Sequence, residues 1–274
     1  MTEGPRAIAD AHSHLDAFAP EELQGVLARA RSAGVELIVT VGMDRETSAA
    51  GIAIADSEDM VFAAVGLHPW MAQDYPEGAP VDELRALARH PKVVALGEIG
   101  LDFVDNSWRG LSYADPELRR MQETVFRQQL RLARSLDLPV ILHSRGAHEA
   151  VTRILGEEGI AAVGGCVQFF EGDADDVARY VGLGFTFSVG SSLTYPDSDG
   201  WHEAVRAVPA DALLLESDAP WLPYSGKDSG RSAPDDLAVI GKVVAEVRGA
   251  DPAELFAVTA ANLRRALPRI GTSA

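Results

Sequence analysis

The sequence predicts a (β/α)₈ barrel, and three observations lead to that fold. Short runs of β-branched and apolar residues alternate with longer amphipathic stretches along the whole chain, as in repeated βαβ units. Eight strand-like runs of this kind occur. Each connection between them is long enough for a helical crossover, and eight parallel strands close most naturally into a barrel. A doubly wound open sheet is the alternative architecture.

The predicted strands are short apolar segments, and several of them run directly into polar loops. Barrel enzymes build their sites from the loops that follow the strands, so these polar positions are the first candidates for function. The eight strands are expected near Ala7–Ala11, Leu37–Val41, Val61–Val65, Val93–Gly97, Pro139–Leu142, Ala161–Val167, Phe185–Ser188 and Leu213–Glu216.

Helix start signals occur between the strands. A proline suits the first turn of a helix, which predicts a helix over Pro20–Ala33. Asp115 is the expected N-cap of a long helix over Pro116–Leu136. After the eighth strand we expect a helix near Pro234–Val247 and an extra C-terminal helix from Pro252 to about Leu267.

The composition is that of one globular domain. With 274 residues and 47% apolar content, the chain is within the size that one core supports, so we expect residues 1–274 to form a single barrel domain. Neither a leader-like segment over residues 1–10 nor a run of about eighteen apolar residues occurs. We therefore expect a cytoplasmic monomer that does not contact membranes.

The charge and the cysteine content limit the kind of site. A formal net charge of −17 argues against a broad basic face that grips nucleic acid. A phosphodiester substrate is still compatible, because bound metal cations supply local positive charge. Cys166 is the single cysteine, so a metal site in this chain would use histidines and carboxylates.

Candidate metal ligands stand where four predicted strands end. His12 and His14 follow the first strand two residues apart, so their side chains can converge on one ion. Glu98, His143 and Asp218 each follow another apolar run. Any one of them could instead cap a helix or pair with an arginine. Together they predict a site for one or two divalent ions at the mouth of the barrel.

Six short motifs follow one another along the chain: Asp10–Asp16, Gly66–Pro69, Gly97–Asp102, His143–Arg145, Glu216–Pro220 and Asn262–Arg265. In their order and spacing they resemble the TatD-type metal-dependent deoxyribonucleases, a family of amidohydrolase-like barrels. The resemblance covers residues 8–267. It implies a (β/α)₈ fold, divalent ions such as Mg²⁺, Mn²⁺ or Zn²⁺, and hydrolysis of DNA phosphodiesters, often from a 3′ end.

The resemblance also implies a division of roles among the five candidate ligands. His12, His14 and Asp218 would hold one ion, and His143 would bind a second. Glu98 would bridge the two ions. Asp218 is our candidate for the general base, because it can contact both the metal and the attacking water.

Three further residues are expected at or near the site. His68 would orient substrate or product, and with Asp218 and Glu98 it completes the expected catalytic set. Arg145 would contact a phosphate through its planar guanidinium, unless it pairs with Glu149 one turn later. Asn262 is expected to tie the last helix to the barrel.

The chain departs from the family at one expected metal ligand. Where the family usually has a histidine after the sixth strand, this chain has Gln168, a poorer ligand for zinc-like ions but an acceptable one for Mg²⁺ or Mn²⁺. We expect Gln168 to be a weak ligand of the second ion. Glu171 could replace the ligand if the loop is shifted, and His148, expected on an exposed helix face, is a more remote substitute.

Aromatic residues near the predicted strand ends are candidates for stacking on unpaired bases, although loop aromatics also pin loops to the barrel. Lys227 and Arg231 in the loop after the eighth strand would either face phosphate or balance nearby acids. The aromatic candidates are Trp70, Phe103, Trp108, Phe169, Phe170, Trp221 and Tyr224.

Two other functions are compatible with the same residues. An amidohydrolase-like enzyme could use the same ions on a small ester, amide or phosphoester, since barrels host many reactions. The acidic surface and Gln168 favour this alternative, whereas no lysine stands at a strand end to be carboxylated. A barrel that has lost catalysis and serves as a binding protein is the third possibility, which the other retained ligands oppose.

Overall fold

Eight parallel strands follow one another around a single sheet in chain order, from β1 to β8, in the computed structural model. It describes residues 7–106 and 110–271. An isolated bridge between Ser13 and Ala219 joins the first strand to the segment after the last. The predicted (β/α)₈ barrel is therefore confirmed. The strands are β1 (Ile8–Ser13), β2 (Val35–Val41), β3 (Val61–Val65), β4 (Val93–Asp102), β5 (Val140–Arg145), β6 (Gly165–Val167), β7 (Phe185–Val189) and β8 (Leu213–Leu215).

Helices cover the outside of the barrel between consecutive strands. The two helices predicted over Pro20–Ala33 and Pro116–Leu136 have those bounds, and the Asp115 carboxylate accepts the backbone N–H of Glu117. The α-helices are α1 (Pro20–Ala33), α2 (Arg45–Ser57), α3 (Val81–Ala88), α4 (Pro116–Leu136), α5 (His148–Glu158), α6 (Ala174–Val181), α7 (Asp199–Ala207), α8 (Leu237–Arg248) and α9 (Pro252–Ala266).

Several strand bounds differ from the predicted ones. β1, β4 and β5 continue beyond their apolar runs, because the polar residues that follow still pair with the neighbouring strand; Asp102 of β4, for example, is opposite Arg145 of β5. β6 begins at Gly165 rather than at Ala161, because Ile160–Ala162 form a 3₁₀ turn and Gly164, which follows it, has a positive φ angle of 64°. The site residues of β1, β4 and β5 thus lie within strands.

The last helices also refine the prediction. The segment from Pro234 starts with a 3₁₀ turn over Pro234–Asp236 before α8. The extra C-terminal helix is present as α9, and its Asn262 donates hydrogen bonds from Nδ2 to the carbonyls of Ala210 and Leu213, each at 2.9 Å. Asn262 therefore ties α9 to the amino end of β8, as expected.

Two apolar layers support the site. One lies between the strands and the surrounding helices, and it includes fully buried residues such as Phe126 and Ile154. The other fills the barrel interior with small and β-branched side chains such as Ala11 and Val39, and α9 closes it with Leu263. The packed interior leaves the carboxyl ends of the strands as the place for a cavity. Among the described helices, none is long and apolar enough to cross a membrane.

Candidate metal centre

Five predicted ligands converge at the carboxyl end of the barrel, although they come from distant parts of the sequence. His12 lies in β1 and His14 follows it; Glu98 lies in β4 and His143 in β5, and Asp218 follows β8. All five are buried or largely buried. The barrel brings them together because all of its strands are parallel, so their carboxyl ends meet at one mouth.

Four of these side chains form one group that we call the first ligand group: His12, His14, Glu98 and Asp218. The Nε2 atoms of His12 and His14 are 3.1 Å apart. The nearest carboxylate oxygens of Glu98 and Asp218 lie 3.6–3.9 Å from both nitrogens. Ligand atoms stand about 2.0–2.2 Å from a zinc-like ion, so ligands that share one ion are about 3–4 Å apart. The spacing and the donor types of this group therefore fit a divalent ion.

The two histidines of the first ligand group can present unprotonated nitrogens. Nδ1 of His14 is 3.0 Å from the carbonyl of Val41. A carbonyl only accepts, so Nδ1 carries the proton and Nε2 offers its lone pair to the group. Burial lowers the pKa of His12 to about 3. Its ring is therefore neutral near pH 7, as a metal ligand must be.

The two carboxylates of the group differ in protonation. Burial and repulsion from Glu98 raise the pKa of Asp218 to about 7. Burial would also raise the pKa of Glu98, but His68, His12 and His143 outweigh burial and hold it well below its usual range. Glu98 is thus anionic and stands between the histidines of both sides of the site, where a bridging ligand would stand.

A second group, Glu98, His68 and His143, lies beside the first. Nδ1 of His143 is 2.8 Å from Glu98 Oε1 and 3.2 Å from Nε2 of His68. His68 Nε2 is also 3.7 Å from the same carboxylate oxygen. By type and distance, these three side chains are a second set of potential metal ligands. The sequence analysis expected His68 near the site but not among the candidate ligands.

Asp102 is a buried residue of the site that the sequence analysis did not assign. Its Oδ2 accepts hydrogen bonds from His143 Nε2 at 3.0 Å and from Trp70 Nε1 at 2.8 Å. Burial would lower the pKa of His143, but its hydrogen bonds to Asp102 and Glu98 raise it to about 9. Asp102 stands four residues after Glu98 on the same face of β4, but the apolar run that predicts this strand ends at Gly97, and pairing with β5 extends it.

Gln168 follows β6 and lies beside two members of the second group. Its Nε2 lies 2.8 Å from Glu98 Oε1 and 3.1 Å from His143 Nδ1. Its Oε1 is buried without a hydrogen-bond partner among the described residues. Rotating the amide by 180° exchanges the two atoms and would turn the oxygen toward the second group. The side chain can therefore approach a second ion, but only as a neutral amide.

The two proposed substitutes for that ligand are not in either group. Glu171 lines the cavity, but it belongs to neither set of potential ligands in the described part of the chain. The expectation of an exposed His148 was wrong. Its Nδ1 contacts Ser144 Oγ at 2.9 Å and Tyr180 Oη at 3.2 Å, because α6 covers this face of α5.

The side chains line a cavity of about 650 Å³ at the barrel mouth. Of the described residues that line it, Arg145 alone carries a permanent positive charge, and its side chain is 48% exposed. Its Nη1 forms an ion pair with Asp102 Oδ2 at 3.9 Å, and not with Glu149. Arg145 is thus available to an anion in the cavity.

Aromatic side chains form much of the remaining wall. Trp221 is the most open of them, with 53% exposure. Phe103, Phe170 and Tyr224 pack against the core instead, and Trp108 lies outside the described residues. The aromatic wall residues are Trp70, Phe169, Tyr195, Trp201 and Trp221.

The two cations of the loop after β8 balance nearby acids. Lys227 Nζ lies 2.6 Å from both carboxylate oxygens of Asp236, and Arg231 Nη1 lies 2.9 Å from both of those of Glu22. The Arg231 guanidinium also stacks over the ring of Phe18. These contacts fix the loop that carries Trp221 to α1 and to the start of α8.

Comparisons with known proteins show which family this chain belongs to. The family model described as TatD related DNase matches residues 9–268. The chain is 35% identical over 260 residues to an uncharacterized metal-dependent hydrolase, YabD of Bacillus subtilis, covering 93% of this chain and 97% of that protein. It is also 35% identical to the 3′-5′ ssDNA/RNA exonuclease TatD of Erwinia tasmaniensis, with 88% and 91% covered.

A solved structure of a related protein has a similar fold. The crystal structure of YjjV, a TatD homologue from Escherichia coli, is similar to this chain with a TM-score of 0.86 and 32% sequence identity. The similarity covers 97% of this chain and 99% of YjjV. The resemblance expected from the motifs is thereby confirmed.

Proposed function

Because this chain belongs to the TatD related DNase family, we propose that it is a divalent-metal-dependent phosphodiesterase that shortens single-stranded DNA from its 3′ end. One observation carries the proposal: two imidazole nitrogens 3.1 Å apart face the carboxylates of Glu98 and Asp218 in a buried site. Glu98 and Asp218 supply the anionic ligands, and His12 and His14 the neutral ones. The 3′-5′ ssDNA/RNA exonuclease named among the relatives supports the substrate class.

A divalent ion in the first ligand group would lower the pKa of water toward neutrality and polarise a phosphoryl oxygen. In the proposed reaction, Asp218 accepts a proton from the attacking water. The water oxygen bonds to phosphorus, the bond from phosphorus to the 3′ oxygen breaks, and the departing 3′ oxygen takes up a proton. Asp218 suits this role because its carboxylate lies 3.6–3.8 Å from the nitrogens of His14 and His12, where it can contact both the ion and the attacking water.

Arg145 binds the substrate in this proposal. Its guanidinium is half-exposed at the cavity wall, and its planar fork matches two phosphate oxygens. One arginine contact of this kind holds the terminal phosphodiester, but it does not hold a long stretch of the DNA backbone. The single permanent cation among the described residues that line the cavity and the net charge of −17 support a substrate that enters by one end.

We further propose that the first ligand group binds its ion tightly and that the second binds weakly, prefers Mg²⁺ or Mn²⁺, or fills only with substrate. Gln168 supports this difference, since it offers at most a neutral amide oxygen next to Glu98 and His143. Metal analysis after dialysis is expected to find one retained Zn²⁺ per chain. Two tightly held Zn²⁺ ions would refute the proposal.

Gln168→His tests the same proposal by gain of function. The variant places an imidazole at the position whose amide nitrogen now lies 2.8 Å from Glu98 Oε1 and 3.1 Å from His143 Nδ1, so a second retained Zn²⁺ is expected. Gln168→Ala is the matched control and should retain one ion. If Gln168→His also retains only one ion, the amide is not what limits the second site.

The proposed activity is tested on a 5′-labelled single-stranded oligonucleotide with Mg²⁺, Mn²⁺ or Zn²⁺ added separately. A ladder of products shortened from the 3′ end is expected, and it should vanish with a chelator. An oligonucleotide that stays intact with every metal would refute the nuclease proposal.

A second candidate is hydrolysis of a small ester, amide or phosphoester at the same ions. The observation that favours it is the scarcity of positive charge, since Arg145 alone among the described lining residues carries it permanently. Turnover of small esters without any action on DNA would select this alternative.

A further inference from the structure

Two members of the first ligand group, His12 and Asp218, have irregular backbone where the two ends of the sheet meet. His12 lies in a part of β1 where the pairing with β2 shifts its register, between Asp10 and Ser13. Asp218 has a φ angle of 48°, in the left-handed region that residues other than glycine seldom adopt. A regular strand would give neither conformation, so neighbouring groups must hold both of them.

The buried carboxylate of Asp10 bonds to both of these segments. Its Oδ1 accepts the backbone N–H of His12 at 3.3 Å and that of Ser217 at 2.9 Å. Its Oδ2 accepts the hydroxyl of Ser217 at 2.6 Å. Asp10 and Ser217 are both fully buried. Asp10 belongs to neither ligand group, yet its side chain ties β1 to the segment that follows β8.

The hydroxyl of Ser217 extends this tie across Asp218. Its Oγ accepts the backbone N–H of Ala219 at 3.2 Å, so the bond spans the residue between them. The backbone N–H of Asp218 itself donates to the carbonyl of His12 at 3.1 Å. The left-handed conformation of Asp218 is therefore held from both sides, and one of these sides depends on the bond from Ser217 to Asp10.

The hydrogen bonds of Asp10 lie where the sheet has few of its own. The neighbouring pairs from β1–β2 to β7–β8 form ladders, in which backbone groups of both strands bond to each other. Across the junction of β1 with the segment after β8, the described residues form an isolated bridge between Ser13 and Ala219. A side chain thus supplies bonds there that a ladder supplies elsewhere in the barrel.

From this geometry we propose that Asp10, acting through Ser217, is a positioning residue that sets the separation of His12 and Asp218. The inference rests on the proposed function, because the separation matters only if the first ligand group binds an ion. Nε2 of His12 and Oδ1 of Asp218 are 3.8 Å apart, as two ligands of one ion would be. Since one carboxylate fixes the backbone on both sides, its loss displaces both ligands.

The first test measures Zn²⁺ affinity by competition with a chromogenic chelator and does not depend on turnover. Ser217→Ala should weaken binding of the tightly held ion about 10–100-fold, the usual effect of removing a group that orients metal ligands. Asn262→Ala is the matched control, because it removes two buried hydrogen bonds at the amino end of β8. Its affinity should stay within about twofold of wild type.

Thermal unfolding of the metal-free proteins shows that both variants are folded before their affinities are compared. If Ser217→Ala binds Zn²⁺ as wild type does, the proposal is wrong. It is equally wrong if Asn262→Ala loses as much affinity, because the loss would then come from a weakened barrel.

The second test is a double-mutant cycle on the same affinity, with Asp10→Asn as the other single variant. The amide of Asp10→Asn keeps an acceptor for the two backbone N–H groups but leaves the proton of the Ser217 hydroxyl without one. We expect about a tenfold loss of affinity. The double variant with Ser217→Ala should lose little more than the worse single variant, because both changes break one bond. Unchanged affinity in Asp10→Asn, or losses that add, would contradict the proposal.

The third test measures turnover of a single-stranded oligonucleotide at saturating Mn²⁺. Ser217→Ala is expected to lower kcat about tenfold or more with KM little changed, because Asp218 is displaced while Arg145 still holds the phosphate. Wild-type kcat in Ser217→Ala would overturn the positioning role. Wild-type protein that binds Zn²⁺ but cleaves no oligonucleotide would refute the nuclease function alone, since the two binding tests decide the role of Asp10.

Discussion

Asp218 lies where the first and last strands meet, and its backbone and side chain face different neighbours. Its N–H donates to the carbonyl of His12 at 3.1 Å, and its carboxylate faces the nitrogens of His12 and His14. The side chain is buried next to the carboxylate of Glu98, so its negative charge is unfavourable until a cation is present. The residue is therefore fixed by its backbone while its protonation depends on the metal.

We expect Asp218→Asn to lower kcat by about 10²–10⁴-fold, because an amide cannot accept the proton of the attacking water. The fold should be retained, since the substitution removes a buried charge near Glu98 and keeps the backbone hydrogen bond. Steady-state turnover and thermal unfolding without added metal measure the two effects. Near wild-type turnover would remove Asp218 from the role of general base.

Metal binding to the first ligand group should depend on pH through the same residue. Asp218 must lose its proton to bind, and its pKa is raised to about 7 before a cation binds. Affinity should therefore fall about tenfold for each pH unit below 7 and level off above it. Calorimetry in buffers of different ionisation enthalpy should show about one proton released at pH 6. Equal affinities at pH 6 and pH 8 would contradict this expectation.

The residues of the first ligand group could be predicted from the sequence, but their partners could not. His12, His14 and Glu98 follow apolar runs that are recognisable as strands, so their convergence follows from the barrel alone. His68 accepts the backbone N–H of Trp70 at a local turn, and His143 donates to Asp102, 41 residues away in the chain. Apolar periodicity carries no information about either hydrogen bond.

At the scale of elements, the bounds of the strands also depend on contacts that the local sequence does not show. The apolar run of β4 ends at Gly97, but the strand continues to Asp102 because its backbone pairs with β5. His148 is half-buried because Tyr180 of α6, 32 residues later, packs against it. Both outcomes are decided by neighbours in space that no local pattern identifies.

The loop that follows β8 carries the exposed ring of Trp221 into the cavity wall, and we expect that ring to stack on a terminal base. Trp221→Ala should raise KM for an oligonucleotide about 5–150-fold, the effect of losing one stacked base, with a smaller change in kcat. Trp221→Phe should stay close to wild type. A substrate with an abasic 3′ end provides the check: if Trp221→Ala raises its KM equally, the ring does not stack on a base.

At the scale of the whole molecule, the chain carries a net charge of −17, and Arg145 is the one permanent cation among the described residues that line the cavity. Proteins that grip DNA through many phosphate contacts lose affinity steeply as salt rises, with a slope of about 0.7 per contact for single strands. A chain with a net charge of −17 and Arg145 in its cavity cannot bind in that way. In the proposed function, its hold on the substrate comes from the metal, one phosphate contact and the aromatic wall.

The expected consequence is a weak dependence of KM on salt. A plot of log KM against log salt concentration should have a slope of about 1 or less. Long oligonucleotides should bind no more tightly than oligonucleotides of a few nucleotides. Arg145→Gln should raise KM and flatten the slope further. Arg153→Gln, an exposed arginine of α5 paired with Glu157, is the matched control and should change neither. If the slope is steep and Arg145→Gln does not change it, other cations of the chain hold the substrate. The substrate would then have to bind along a longer surface than the wall of this cavity.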